Sequence, residues 1–292
     1  MSLLTRTDGA HATRTRRAST AVAVAFMTLA ACYMLLPVYW LLVAATKSQG
    51  DLVDTPGLRP AHWHFGANLT ALFRQQDGVF ARWLLNSLLY AGAGAAVATA
   101  LSAAAGYALA KYRFPGRELL FSVILGGVLV PATALALPLF LMFAEVDATN
   151  TFWSVFLPSV VSPFGVYLSR VFAVASVPDE VIEAARMDGA GELRIFTGIG
   201  VRMMSPALVT VFLFQFVVIW NNFLLPLVML QDDGLYPVTL GLYTWQTQTS
   251  RLPVLQTLTL VGALVSVVPI VLTFLLLQRY WRAGLSAGAV KS

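Results

Sequence analysis

Of 292 residues, 58% are apolar and only 11% are charged, with a mean hydropathy of +0.74. A soluble domain has about one-quarter charged residues and cannot hide this much apolar surface around one core, so a water-soluble globule is excluded and lipid is required. The net charge of +5 calls for no nucleic-acid partner, because the placement of the basic residues accounts for it, and a single cysteine excludes an internal disulfide.

Crossing roughly 30 Å of hydrocarbon at 1.5 Å per residue takes about twenty apolar residues. Six stretches qualify: 21–46, 84–110, 119–144, 152–169, 203–230 and 253–278. Residues 1–20 read as a basic tail. Arg14, Arg16 and Arg17 precede an apolar run ending Leu29-Ala30-Ala31-Cys32, which has the look of a lipoprotein cleavage site. Residues 33–45 stay apolar, however, which predicts an uncleaved first helix.

The polar excursion 47–83 carries Trp63, Phe65, Phe73, Phe80 and Trp83, an aromatic set predicted to rest partly on the membrane surface. His62 and His64 are too few, and too poorly supported by carboxylate or cysteine, to make a metal site. Asn86 is placed to serve free N–H groups at the start of the second span. That span is rich in Ala and Gly from Ala91 to Gly106, which predicts a buried, central helix, since helices in lipid associate by close backbone approach.

The fourth span carries Pro158 and Pro163 and is predicted to extend past Arg170, whose side chain can reach the interface. Residues 170–206 are too polar to span. Ser176 and Asp179 match a capping box, Pro178 suits a first helical turn, and Val181, Ile182, Ala184 and Ala185 supply a short apolar face. Gly189 is a natural stop, and a second short helix is expected over 192–199. On these residues alone, the segment is either an ordinary capped surface helix or an element made to be gripped by a partner.

Gln215, Asn221 and Asn222 lie in or near the fifth span, where they serve either a polar substrate path or interhelical hydrogen bonds. Residues 231–252, with Asp232, Asp233, Tyr236 and Trp245, read as a second outer loop, and 279–292 as an inner tail. With the N-terminus inside, 14 of the 19 Lys and Arg residues fall on the inner side, while Asp and Glu divide seven to each side. That bias predicts both termini inside, with six crossings.

The run Glu183-Ala184-Ala185-Arg186-Met187-Asp188-Gly189-Ala190, with Phe196, Ile199 and Pro206 after it, resembles the EAA loop of binding-protein-dependent ABC permeases. Further likenesses are Asn86-Ser87, the 106–110 run with Phe114 and Gly116, Pro131, Pro138-Leu139, the 220–223 and 236–241 runs, and the closing 282–291 run. Together they are similar to the carbohydrate-uptake branch and its maltose-permease-like smaller subunit. Where that family usually carries Leu-Pro after the loop, this chain has Val201-Arg202.

The resemblance implies an all-α polytopic protein with six transmembrane helices, the type I ABC importer permease fold, and N-in/C-in topology. It divides the chain into an inner tail 1–20, a first helix 21–46, a periplasmic loop 47–83, a core 84–278 with the coupling loop at about 170–206, and a tail 279–292. It implies that Glu183, Ala184, Ala185, Asp188, Gly189 and Ala190 couple to a separate dimeric cytoplasmic ATPase, with Arg282 and Gly288 as a second contact. A homologous second permease and an extracytoplasmic sugar-binding protein complete the expected partners, the latter meeting Asp232, Asp233 and Tyr236. ATP and Mg would be used by the ATPase, and no cofactor is expected on this chain.

The alternative is an ion-coupled secondary transporter, but no span carries a central charge. A membrane-embedded enzyme lacks support, since no metal-ligand cluster or G-x-S-x-G elbow is present. Nor is there a G-x-x-x-x-G-K-[ST] loop for binding ATP.

Overall fold

The computed structural model describes the backbone of residues 8–288 and the side chains of residues 20–278. Apart from Thr20, the two expected tails, with Arg282 and Gly288 as contact residues, lie outside the described side chains. In chain order the helices are α1 (Asp8–Ala45), α2 (Gln49–Asp54), α3 (Phe65–Arg74), α4 (Val79–Lys111), α5 (Arg117–Val128), α6 (Ala132–Ala144) and α7 (Phe152–Ser159). They continue as α8 (Pro163–Ser176), α9 (Asp179–Met187), α10 (Glu192–Ile195), α11 (Val201–Trp220), α12 (Leu224–Met229), α13 (Val238–Thr247) and α14 (Val254–Gly288). Among the described residues there is no strand.

α4 is the centre of the bundle, packed against both α8 and α11, as its small residues predict. At Gly106, an added Cβ would lie 2.5 Å from the Ser169 Cβ and 2.6 Å from the Arg170 amide nitrogen. Four residues earlier, Ser102 meets Gly165 in the same way, with 2.5 Å between its Oγ and a Cβ placed there. α1 runs unbroken through Cys32 and is exposed along most of its length, with Val43, Ala44 and Ala45 buried at its end.

The third expected span is not one helix. α5 and α6 meet at a bend of 101° across Leu129, Val130 and Pro131, so among the described residues there are five apolar helices long enough to cross, and a sixth span only if this bent pair counts as one. Pro131 has no N–H to give the last turn of α5, and its ring disfavours the helical region for Val130. The fourth span does pass Arg170, reaching Ser176 after a break at 160–162. There Ser162 caps α8 by accepting the Gly165 N–H at 3.0 Å, with Pro163 in the first turn. Arg170 is held within the protein: it binds both carboxylate oxygens of Glu118 at 2.9 and 3.0 Å and lies 3.8 Å over the Phe121 ring.

The fifth span is shifted from its expected bounds. It runs from Glu192 to Trp220 through α10, a π-helical turn (Phe196–Gly200) and α11, so the expected separate helix over 192–199 is the first two turns of the span itself. No proline interrupts 192–205, and Arg202 keeps the backbone N–H that a proline would lack. The π turn admits the Tyr107 ring, which would lie 2.8 Å from a Cβ at Gly200.

At the opposite end from α9, the aromatic set divides. Trp63 is exposed, but Phe80 and Trp83 are buried in the main core against Trp245 of α13, with the two tryptophan rings 4.8 Å apart. Their burial corrects the expectation of a surface-resting cluster: residues 231–252 are not an open loop but fold inward as α13, which supplies the third ring. Gly241 is required here because a Cβ would overlap the Trp83 ring. Asn86, too, lies inside α4 rather than at its start, and its Nδ2 donates to the carbonyls of Gly234 and Tyr236 at 2.9 and 3.0 Å.

Gly106→Ala should destabilise the fold by about 1–3 kcal/mol, the usual cost of overpacking, because backbone atoms of α8 block the added carbon. Gly126→Ala, where a Cβ meets nothing within 4 Å, should leave stability unchanged or slightly raised. Thermal unfolding of the two variants in detergent checks the pair.

Candidate functional site

α9 is a short polar helix outside the apolar spans. Pro178 takes its cap position with extended backbone (φ −64°, ψ 142°), while Ser176 still belongs to α8. The expected Ser176–Asp179 capping box is therefore not formed, since Ser176 cannot end one helix and cap the next across an intervening proline. Asp179 instead takes the Lys111 ammonium at 2.7 Å. That hydrogen bond is the main cause holding the Asp179 carboxyl below its ordinary value of 3.8.

The stop at Gly189 forms as expected. Gly189 has φ +81°, its N–H donates to the Arg186 carbonyl, and the Ala190 N–H donates to the Ala185 carbonyl, each at 3.0 Å. This is a Schellman closure, and glycine fits it because L side chains disfavour left-handed backbone. Ile182 is buried with Tyr107, Ala173, Val177, Ile195 and Met204, and Ala185 and Ala190 pack against that cluster. Val181 and Ala184, expected on the same apolar face, turn outward instead.

Beyond the closure, Arg186 makes a forked pair with Glu192 at 2.7 and 3.2 Å, and the Tyr112 hydroxyl donates to the same carboxylate at 2.9 Å. Burial first, and the Glu192 contact second, push the Tyr112 phenol up to about 12, so it remains a proton donor at neutral pH. α9 is thus fastened directly to Lys111, the last residue of α4, at its start, and at its end through Arg186 to the Glu192 carboxylate of α10, which Tyr112 also holds.

The outward face presents Glu183, Ala184, Asp188 and Gly189. Beside them stand Met187 and Leu193, 88% and 76% exposed. Sequence reasoning passed over these two; the available signal was a pair of large apolar residues in a segment too polar for lipid. Of the six residues expected to couple, four therefore lie on the free face, and Ala185 and Ala190 form its base.

The other expected residues lie at the far end. Asn221 Nδ2 bonds its own helix at the Val217 carbonyl (2.8 Å), and the Asn222 carbonyl accepts from Thr239 Oγ1 at 3.2 Å. Gln215 is half-buried in α11. Asp232 accepts the Gly234 N–H at 2.8 Å, and Tyr236 donates to the Gln231 carbonyl at 3.2 Å. The Asp233 carbonyl accepts the Trp83 indole N–H at 2.8 Å, and Ser87 Oγ accepts the Val238 N–H at 2.7 Å. His62 sits 3.5 Å from Asp51, and no group of three His, Cys, Asp or Glu able to hold a metal occurs among the described residues.

Several apolar crossings, with a polar helix braced outside them, define an integral membrane protein. Comparison with known proteins agrees. Residues 96–285 match the family described as binding-protein-dependent transport system inner membrane component. The arabinooligosaccharides transport system permease protein AraQ of Halalkalibacterium halodurans is 36% identical over 216 residues, covering 74% of this chain and 76% of that protein. The diacetylchitobiose uptake system permease protein NgcG of Streptomyces coelicolor is 30% identical over 274 residues, covering 93% and 89%.

A crystal structure of a bacterial ABC transporter involved in import of the acidic polysaccharide alginate has the same fold in one chain. The TM-score is 0.79 at 20% identity, with 96% of this chain and 100% of that one covered. The chain belongs to the family of inner-membrane components of binding-protein-dependent transport systems. It is a permease subunit rather than a catalyst, and the ion-coupled alternative falls away.

The Lys111–Asp179 clamp gives a pH test with a fixed sign. Because the folded carboxyl is lowered, the clamp is fully present above the ordinary aspartate value of 3.8 and is lost as pH falls through the lower folded value. Amide protection across α9, corrected for intrinsic exchange rates, should owe no pH dependence to this pair near neutrality and should fall only in stronger acid. Asp179→Asn should raise exchange at neutral pH and abolish that acid step; an unchanged acid step in the variant would assign it to another group.

Proposed function

We propose that the chain is one of two membrane-spanning subunits of an ATP-driven importer for a sugar or small oligosaccharide. α9 is its docking element for a separate dimeric cytoplasmic ATPase, which binds ATP and Mg. The observation that carries this reading is the braced helix with a free face. Glu183 and Asp188 offer charge-assisted contacts, Gly189 permits close backbone approach, and Met187 and Leu193 supply apolar surface that no neighbour among the described residues covers. ATP-driven closure of the ATPase would then move α9 and, through its ties to α4, the bundle.

The loop with Asp232, Asp233 and Tyr236 would face a sugar-binding protein on the far side. Its backbone is fastened to α4 while its carboxylates are exposed, which suits a docking rim. For the translocation path Gln215 is the better candidate, because Asn221 already commits one of its two amide donors to its own helix. Arg282 and Gly288 remain a proposed second ATPase contact by resemblance. Sugar as cargo is supported by relatives whose names specify arabinooligosaccharides and diacetylchitobiose.

With Gly189→Asp or Glu183→Lys, both ATPase co-purification and sugar uptake by the assembled transporter should fall at least about tenfold, as expected when a desolvated contact becomes a repulsion or a clash. Retention of both in either variant would remove α9 from the docking role. Met187→Ala and Leu193→Ala should weaken co-purification to a smaller degree, with membrane insertion unaltered.

A further inference from the structure

Lys47 lies two residues beyond the apolar part of α1, yet its side chain is only 1% exposed. An ammonium carries three donors. One is used, with Nζ donating to the Pro56 carbonyl at 2.8 Å. No carboxylate lies within ion-pair distance of it among the described residues. Asp51, the acidic residue of α2 nearest in sequence, is committed to Ser48 and His62. A buried charge with a single neutral partner is costly unless an anion completes it.

Lys47 lines a cavity of about 210 Å³ between the end of α1, the α1–α2 connection, α13 and α14. Trp40, Leu52 and Leu260 contribute its walls, and the exposed side chains of Gln246 and Gln256 border it. These two amides and the Trp40 indole add further donors around one ammonium. The level of the cavity is also fixed. Lys47 follows the span ending at Ala45, and Gln256 stands in the first turn of the span beginning at Val254. Both therefore sit where hydrocarbon gives way to headgroups. The outer surface of α1 beside the cavity, including Leu36 and Tyr39, is exposed apolar surface suited to acyl chains.

We infer that this cavity is a binding site for a phosphate group, supplied in the membrane by the headgroup of an anionic phospholipid, with Lys47 as its counter-charge. Gln246 and Gln256 hold the remaining oxygens, and α1 is thereby sealed against α14 by lipid.

Native mass spectrometry of the full-length chain, purified with its associated subunits and stripped of lipid, tests this. Samples are titrated separately with phosphatidylglycerol, phosphatidylcholine and inorganic phosphate. Wild type should retain phosphatidylglycerol roughly tenfold better than phosphatidylcholine, the scale of one charge-assisted contact. Lys47→Met should erase that preference, Lys47→Arg should keep it, and Gln256→Ala should reduce it while leaving thermal unfolding unchanged. Equal retention of the two lipids by wild type, or an undiminished preference in Lys47→Met, would overturn the site. Displacement of phosphatidylglycerol by inorganic phosphate would reassign it to the free ion, and a subunit carboxylate found on Nζ in the assembled complex would reassign it to a protein partner.

Discussion

In hydrocarbon, one apolar side chain gains nothing by hiding from lipid against another, so the bundle depends on how near two backbones can come. α4 supplies that nearness. Its buried line of Ala91, Gly94, Ala95, Ala98, Ser102 and Gly106 lets α8 and α11 approach until a single methylene would not fit at Gly106. Dispersion between closely packed atoms then replaces the hydrophobic effect as the cohesive term. The position of α9 follows from this, because Lys111 and Tyr112 extend directly from the helix whose place the small residues set.

The breaks in the bundle are as purposeful as its contacts. Pro131 turns the α5–α6 pair through a right angle, and the 160–162 break is closed again by Ser162 and Pro163, which start a new helix at once. Each interruption leaves backbone groups that lipid cannot satisfy, and each is flanked by a capping side chain or a proline that has no N–H to satisfy. Arg170 shows the same economy with charge: inside α8 it is matched by Glu118 and covered by the Phe121 ring rather than left to lipid.

Much of this was legible locally. Apolar length located the first, second, fourth and sixth crossings, small residues marked α4 as central, and Gly189 announced the end of α9, because each signal is carried by neighbours in the chain. What the sequence could not disclose depended on distant partners. Phe80 and Trp83 look like interfacial aromatics until Trp245 arrives to bury them, and Asn86 looks like a cap until the carbonyls of Gly234 and Tyr236 claim it. Likewise Asp179 satisfied a capping rule on paper, but Lys111, far away in sequence, offered a full charge. The free face of α9 was legible in its charges and not in Met187 and Leu193, whose exposure only the packing of Ile182 and Ala185 reveals.

The continuity of α4 has a mechanical meaning. Thirty-three residues without a break make a rod of about 50 Å at 1.5 Å per residue, comparable to the full depth of a bilayer with its headgroups. One tip is bolted to α9 by Lys111, and the next residue, Tyr112, to α10 through Glu192. The other is bolted to the 233–238 segment by Trp83, Asn86 and Ser87. Neither polar end can shift by itself unless one of those bolts shears or the rod bends. A stroke applied at α9 would therefore reach the opposite face along this one unbroken helix.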